Sequence, residues 1–373
     1  MIQLLKDFPL LKEKIPYVSL GEFPTPAEKL ENLGERIGVR DLYIKRDDLS
    51  GNIYGGNKIR KLEFLLGEAL QSGAKEVMTF GAAGSNHALA TAVYADKVGL
   101  RSISMLMPQP NARYIRKNLL MSYHCNAELH YFPDKNSLNT GMKRQLTLHK
   151  KKYGCSPEII PFGGTSPLGT VGFVNAAFEL KEQIRQGKIP EPDRIYIALG
   201  SMGSAAGLLL GLRAAQLTSR LIPVMVVPEA VTNERNFIDL FRKTNDFLHT
   251  SDPSFPIIEL SEEEIGIKKG FFGQNYALFT QEGIEALRLM EKTEDIKLDG
   301  TYTGKTFAAL LSDAEKENLN GKTIMFWNTL NSRDFSDAIR DIHYHRLPRV
   351  FHRYFEEGLQ PLDHVESNDP VNS

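Results

Sequence analysis

Short apolar runs alternate along this chain with longer stretches of helical periodicity. Residues 42–44 form a brief apolar run that stops at a charged, glycine-rich loop. From Lys58 onward, Leu62, Leu65, Leu66 and Ala69 recur at the spacing of one helix face. The same alternation predicts strands over 75–80, 101–107 and 128–132, with helices over 86–97, 112–121 and 136–152. Ile159 and Ile160 end in Pro161 and a Gly-Gly turn. Further on, strands are expected over 194–199, 221–227, 257–260 and 325–327. Helices are expected over 173–185, from Leu208, and over 233–249, 280–291 and 306–314. Residues 1–40 read as an irregular lead-in, with a rigid turn at Pro24-Thr25-Pro26 and a short helix over 27–37. Short strands alternating with longer helices predict an α/β fold with a largely parallel sheet and helices on both faces.

Small residues punctuate this pattern at informative places. Gly81-Ala-Ala-Gly84 is a tight turn after a strand, and the Ser85 hydroxyl can cap the next helix. Four glycines fall between Gly163 and Gly172, which suits either a hinge or close packing, while Ser166-Pro167 also fits routine capping. Gly200-Ser-Met-Gly-Ser-Ala-Ala-Gly207 lies between a strand and an apolar helix, an arrangement that presents backbone N–H groups to a phosphate. It lacks the Gly-x-Gly-x-x-Gly spacing of a dinucleotide site. Glu262, Glu263 and Glu264 read as a solvated helix start.

Composition narrows the picture. The 373 residues carry 45 basic and 46 acidic side chains, which points neither to nucleic acid nor to an acidic membrane surface. Cys125 and Cys155 form neither a disulfide framework nor a metal-binding spacing, so no metal is expected and a cytoplasmic location is. The N-terminal residues lack a basic region followed by a long apolar run, and no stretch is long and apolar enough for a membrane span.

The candidate chemistry centres on Lys58 and Lys61, which are three apart on one helix face beside Gly55 and Gly56. Two amines at a glycine-lined turn suit a carbonyl cofactor that carries a phosphate, one amine to form an imine and the other to neutralise the phosphate. The same residues also read as a loop followed by an amphipathic helix with solvated lysines.

Lys45-Arg-Asp-Asp48 and Gly55-Gly-Asn-Lys-Ile-Arg-Lys-Leu-Glu63 resemble the cofactor-lysine segment of the D-cysteine desulfhydrase and 1-aminocyclopropane-1-carboxylate deaminase family. These are pyridoxal-phosphate enzymes of the tryptophan-synthase-β fold type (fold type II). Further matches follow in order from about Pro24 to Thr329. The resemblance implies the Schiff-base lysine at Lys58, next to Asn57, and a phosphate neighbour at Lys61. It implies a phosphate cup at Gly200, Ser201, Met202, Gly203 and Ser204. Asn86 matches the asparagine near the ring oxygen, and Thr329 matches a retained cofactor contact. Ser85, Asn86 and His87 match the turn over the substrate carboxylate, His87 as in the desulfhydrase branch. Tyr276 and Tyr302 match the two active-site tyrosines, for which a lowered phenol pKa is expected beside a charged cofactor. Thr303 occupies the position beside the pyridine nitrogen, where the deaminase branch has glutamate.

The chain departs from the family pattern at several points. Gly81-Ala-Ala-Gly84 replaces Gly-Gly-x-Gln. Met202 and Ser204 stand in the cup, Gly300 and Thr301 replace Pro-Val, and Leu330-Asn331 replace two glycines. A hydroxyl at Thr303 favours a neutral ring nitrogen, which suffices when a good leaving group departs from Cβ. The resemblance therefore implies β-elimination from a small D-amino acid, with D-cysteine cleaved to pyruvate, ammonia and hydrogen sulfide. The alternatives are a 1-aminocyclopropane-1-carboxylate deaminase or other amino-acid deaminase or racemase, and a non-catalytic pyridoxal-phosphate-binding protein. It also implies a homodimer and three segments of organisation. These are a large cofactor domain over 1–60 and 176–345, an inserted α/β domain over 61–175, and a C-terminal extension over 346–373.

Overall fold

The computed structural model describes residues 2–363. In chain order its strands are β1 (Ala27–Lys29), β2 (Asp41–Arg46), β3 (Glu76–Ala82), β4 (Arg101–Met107), β5 (Glu128–Tyr131), β6 (Glu158–Ile160), β7 (Arg194–Leu199), β8 (Arg220–Met225) and β9 (Thr323–Asn328). They form two sheets, one in each of two compact units. The first unit comprises Met1–Phe64 and Thr165–Ser332, and the second Leu65–Gly164 and Arg333–Ser373. The sequence reading set its divisions after 60 and 175 and made 346–373 a separate extension. Contacts group the described residues from Arg333 onward with the second unit.

In the first unit the strand order is β1-β2-β9-β7-β8. Only β1 runs antiparallel, pairing Glu28 with Ile44. The other neighbours are parallel, which requires crossover connections and explains the helices between them. One face of the sheet buries Leu42, Ile44, Tyr196, Val224, Ile324 and Phe326 together with Met290, Phe307 and Leu310 from two helices, Gln281–Glu294 and Thr303–Lys316. The helices Pro167–Arg185 and Gly203–Ala214 pack on each other at close range. A Cβ at Gly207 would lie 2.5 Å from the Thr170 carbonyl oxygen, and one at Gly211 2.5 Å from that of Val174.

The Lys45–Asp48 motif is largely structural. Lys45 Nζ donates to Glu179 Oε1 (2.6 Å), Arg60 pairs with both Asp47 (2.7 Å) and Glu179 (2.9 Å), and Trp327 Nε1 donates to Asp47 Oδ2 (2.8 Å). All of these side chains are buried. Burial opposes ionisation of Glu179, but Arg60 and Lys45 beside it hold its carboxyl down at about 2. Burial pushes Lys45 down, against the pull of Glu179. This frame fixes β2, β9 and the helix Pro167–Arg185 around the first turn of the helix Lys58–Gln71. A Cβ at Gly172 would lie 2.0 Å from the Arg60 carbonyl oxygen, so the glycine admits that turn.

The second unit has the parallel order β5-β4-β3-β6. Met78, Phe80, Ile103, Met105 and Leu138 form a core cluster between this sheet and the helix Lys135–Tyr153. The polar, proline-bearing composition of residues 360–373 predicts a loose tail, but its start is docked. Gln360 N–H donates to the Asn111 carbonyl (3.0 Å), and Asp363 Oδ2 accepts from Arg113 N–H (2.6 Å). The rest of that expectation lies outside the described residues.

Several element expectations need correction. Residues 27–29 are a strand, because they pair with β2, and the helix begins at Glu31. No strand forms over 257–260. Asn245 satisfies the adjoining backbone instead, donating to the Pro256 carbonyl (2.8 Å) and accepting from Ile258 N–H (2.9 Å). Three helices start earlier than their apolar periodicity predicts, at Pro167, Gly203 and Thr303. The first is capped by the Ser166 hydroxyl, with Pro167 in the first turn.

Candidate active site

In the first unit, Lys58 opens the helix Lys58–Gln71 directly after the glycine loop. The loop is tied down from two sides. Asn57 N–H donates to the Thr329 carbonyl (3.2 Å), and Gly55 N–H donates to Asn331 Oδ1 (2.5 Å). Asn331, read from sequence as added bulk, is thus a staple for the loop. Asn57 Nδ2 donates to Ser204 Oγ (2.9 Å), which joins the loop to the first turn of the helix Gly203–Ala214. Met202 precedes that helix at φ 68°, a region that favours glycine. The Ser201 hydroxyl accepts from Thr165 Oγ1 (2.8 Å). A Cβ at Gly203 would lie 2.8 Å from Lys61 Nζ and 3.1 Å from Thr165 Oγ1. Lys61 therefore reaches the amide-rich start of this helix.

Electrostatics distinguish the amines. Burial alone pushes the Lys58 amine down to about 8, although the side chain keeps some accessible surface. Lys61 is pushed well below its ordinary value by burial and then by the neighbouring Lys58 charge. Lys305 is also lowered to about 8 by burial, but its Nζ donates to the Phe272 carbonyl (2.6 Å) and holds the loop before Tyr276.

The tyrosines converge on the same unit. Tyr276 and Tyr302 share a short hydroxyl–hydroxyl bond. A Cβ at Gly200 would lie 3.5 Å from Tyr302 Cε1, which places that ring against the start of the Gly200 turn. Burial raises the Tyr276 phenol, with the Tyr302 bond opposing and the Asp299 charge adding, so the expected lowering is not what the protein alone produces. Asp299 Oδ1 accepts from the N–H groups of Thr301 (2.8 Å) and Tyr302 (2.6 Å), and its Oδ2 accepts from the Thr303 hydroxyl (2.7 Å). The Thr303 proton is committed to Asp299, and Oγ1 in turn accepts from Asp299 N–H (2.7 Å), which leaves it one acceptor site.

In the second unit, Ser85 Oγ accepts from Ala88 N–H (3.2 Å) and caps the helix Asn86–Lys97. Asn118 Nδ2 donates to both the Gly84 carbonyl and Asn86 Oδ1, each at 2.9 Å. Gly84 N–H donates to Gln109 Oε1 (2.9 Å), and Gln109 Nε2 donates to the Tyr114 hydroxyl (2.7 Å). His87 is buried. Its Nε2 donates to Thr79 Oγ1 (3.0 Å), because the Thr79 proton goes to the Ile160 carbonyl (3.1 Å).

A family model described as "Pyridoxal-phosphate dependent enzyme" matches residues 18–329. The chain belongs to this family. It is 36% identical over 321 residues to a Pyrococcus furiosus protein named "Putative 1-aminocyclopropane-1-carboxylate deaminase", covering 86% of this chain and 93% of that protein. It is 32% identical over 321 residues to the D-cysteine desulfhydrase of Yersinia pestis (strain Pestoides F), covering 85% and 94%. The crystal structure of an ACC deaminase homologue superposes with a TM-score of 0.74 at 33% identity, covering 91% of this chain and 99% of that one.

The protein is therefore a pyridoxal-phosphate enzyme of fold type II, and the residues present fit that cofactor. The first turn of a helix lacks intrahelical partners for its N–H groups, of which Gly203 N–H turns back to the Ser201 carbonyl (2.9 Å); a glycine stands where a Cβ would crowd Lys61, and two amines are held at lowered pKa. Among the described residues no helix is long and apolar enough to cross a membrane.

Contacts place Asn57, Lys58, Lys61, Gly200 to Ser204, Tyr276, Tyr302, Thr303 and Thr329 in one unit and Ser85, Asn86 and His87 in the other, whereas the sequence reading puts Lys61 in the inserted domain. It missed Asp299, Thr165, Gln109 and Asn118. An aspartate four residues before Thr303 is a helix-start signal that would have found Asp299. The other three meet their partners across longer sequence separations, and no local pattern marks them.

Proposed function

We propose that this enzyme deaminates a small amino acid by breaking a bond at Cβ, with Lys58 as the cofactor-linked lysine. The placement of Lys58 carries the reading: its lowered amine keeps accessible surface, whereas Lys61 reaches the Gly203 turn and Lys305 is tied to the Phe272 carbonyl. At pH 7 a group of pKa about 8 is about 9% neutral, against roughly 0.03% for an ordinary lysine. Such an amine can link to an aldehyde, and after displacement it can take a proton from the substrate α-carbon.

When bound, pyridoxal phosphate supplies the aldehyde that joins the substrate amine and a ring that takes up electrons from a bond broken at the α-carbon. In this reading the phosphate rests on the Ser204 end of this turn, because Gly203 N–H is already given to the Ser201 carbonyl (2.9 Å), with Lys61 supplying charge and Asn57 bracing Ser204. Asn86 and Thr329 contact the cofactor. The Tyr276 and Tyr302 hydroxyls hydrogen-bond each other, and the raised phenol of Tyr276 keeps it a donor at neutral pH. Ser85 and the helix-start amides beside it receive the substrate carboxylate. His87 supports that turn from the sheet. The resemblance also supports a homodimer, which sedimentation would test.

D-cysteine is the first substrate proposed, because His87 and Thr303 follow the desulfhydrase form. A second reading, ring opening of 1-aminocyclopropane-1-carboxylate, is favoured by a specific observation. Asp299 stands behind the Thr303 hydroxyl, so Oγ1, which also accepts from Asp299 N–H (2.7 Å), keeps one lone pair backed by a carboxylate. That environment supports a protonated ring nitrogen, which the sequence argument from Thr303 alone did not foresee. The printed name of the Pyrococcus furiosus relative agrees with it.

Side-by-side turnover decides between them. D-cysteine plus water gives pyruvate, ammonia and hydrogen sulfide, whereas the cyclopropane amino acid plus water gives 2-oxobutanoate and ammonia. Sulfide release from D-cysteine alone supports the first reading, and 2-oxobutanoate alone supports the second. Loaded enzyme that releases ammonia from neither, nor from any other small amino acid, refutes the proposal.

A further inference from the structure

Beyond the region matched by the family model, the C-terminal part of the second unit gathers metal-binding side chains. His345, His352 and Glu356 each offer one ligand atom, and these atoms lie within 4.8 Å of one another. The sequence reading looked for cysteine pairs and expected no metal.

The backbone explains the gathering. Glu356 N–H donates to the His352 carbonyl (3.1 Å), so the two side chains lie one helical turn apart on one face. His345 sits in the turn Tyr344–Arg346, and the Tyr344 ring stacks on Phe355 at 4.7 Å. This stacking holds the turn against the last helix.

Hydrogen bonds also set the tautomers. His352 Nε2 lies 3.0 Å from the Leu347 carbonyl, which only accepts, so Nε2 carries the proton and Nδ1 keeps its lone pair. His343 Nδ1 accepts the His345 backbone N–H (3.4 Å) and lies 2.8 Å from His345 Nδ1. His345 is therefore the donor of that pair, and its Nε2 keeps a lone pair. An imidazole oriented through its second nitrogen by a carbonyl or another acceptor is the usual arrangement of a metal ligand.

We propose that His345, His352 and Glu356 form a site for a zinc-type divalent transition-metal ion. Two imidazoles and one carboxylate suit such an ion in a tetrahedral shell, with water in the fourth position. Two imidazoles do not suit magnesium or calcium, which take oxygen ligands. Bonds of about 2.1 Å at a tetrahedral angle set ligand atoms about 3.4 Å apart. Glu356 is exposed, and its carboxylate, which accepts from the Tyr344 hydroxyl (3.3 Å), would turn toward the two imidazoles on binding.

The ion would act as a clip between the Tyr344–Arg346 turn and the helix Arg353–Glu356. That helix carries Tyr354, whose carbonyl accepts from Arg116 Nε (2.9 Å) and whose hydroxyl accepts from Gln109 N–H (3.3 Å). Gln109 in turn holds Gly84, one residue before Ser85. The clip therefore secures a segment that buttresses the Ser85 turn.

Full-length holoenzyme, stripped with EDTA and dialysed, is titrated with Zn²⁺ by calorimetry and with Co²⁺ by visible spectroscopy. The expected result is one Zn²⁺ per chain, tetrahedral Co²⁺ bands, and a melting temperature raised by about 4 °C at a hundredfold excess over Kd. Glu356→Gln and His345→Ala should each weaken Zn²⁺ binding at least tenfold and remove the thermal shift. His124→Ala, a change at an exposed histidine elsewhere in the unit, should leave both intact. No Zn²⁺ bound by the wild type, or equal binding by Glu356→Gln and His345→Ala, would overturn the assignment.

Discussion

Replacing Glu179 with glutamine removes one charge from the buried frame while keeping its shape. Glu179 faces Lys45 at 2.6 Å and Arg60 at 2.9 Å, with no solvent to take over its role. Its carboxyl is held at about 2 against an ordinary 4.5, a difference of about 3 kcal/mol in favour of the folded, ionised state. Breaking a buried pair typically costs about 3–5 kcal/mol. Here Asp47 remains as a partner for Arg60, and Lys45, already pushed down by burial, can shed its proton. The loss should therefore lie near the lower end, about 3 kcal/mol at pH 7. The sign with pH follows from the lowered pKa. The stabilisation is fully present above the unfolded carboxylate value and is lost as pH falls through about 2. The gap between wild type and Glu179→Gln should thus be flat above about pH 5 and shrink progressively below pH 4. Trp327 is the chain's single tryptophan and donates to Asp47 within this frame, so its fluorescence during urea unfolding reports the affected region directly. A loss below about 1 kcal/mol, or a gap that does not narrow toward acid, would refute the reasoning.

Other perturbations probe the site itself. Gly203→Ala puts a Cβ 2.8 Å from Lys61 Nζ and should weaken cofactor binding about tenfold or more, read by titration of the stripped enzyme; unchanged affinity would remove the phosphate from this turn. Asp299→Asn should shift the absorption spectrum of the loaded enzyme as well as its rate, because it removes the carboxylate behind Thr303; an unchanged spectrum would separate Asp299 from the cofactor ring. Met202→Gly should be about 1 kcal/mol more stable than Met202→Ala in urea unfolding, since only glycine relieves the positive φ; equal stabilities would contradict the strain.

The regular part of the fold was legible because parallel strands and their helices carry strong periodicity, and the strands 101–107 and 194–199 coincide with β4 and β7. The helix over 86–97 likewise coincides with the one observed. Helix starts were less legible where a side chain outside the apolar pattern satisfies the first N–H groups, as Asp299 does; Ser166-Pro167 reads as a capping signal, yet the apolar period begins that helix only at 173. The candidate lysines were readable from their glycine loop. The Lys45–Asp48 motif read as part of the cofactor segment, yet Lys45 and Asp47 serve a buried ionic frame whose partner, Glu179, lies far along the chain. Two departures from the family pattern have partners in the fold: Asn331 Oδ1 staples Gly55, and in the turn at Gly84 the N–H donates to Gln109 Oε1. Such exchanges across long sequence separations leave no periodic trace.

Lys58 is proposed to carry the cofactor, and borohydride reduction of the loaded enzyme, followed by proteolysis and mass spectrometry, puts that to the test. A single phosphopyridoxyl adduct is expected on the peptide containing Lys58, lost in Lys58→Ala. An adduct on Lys61 or Lys305, or one that persists in Lys58→Ala at wild-type yield, would contradict it.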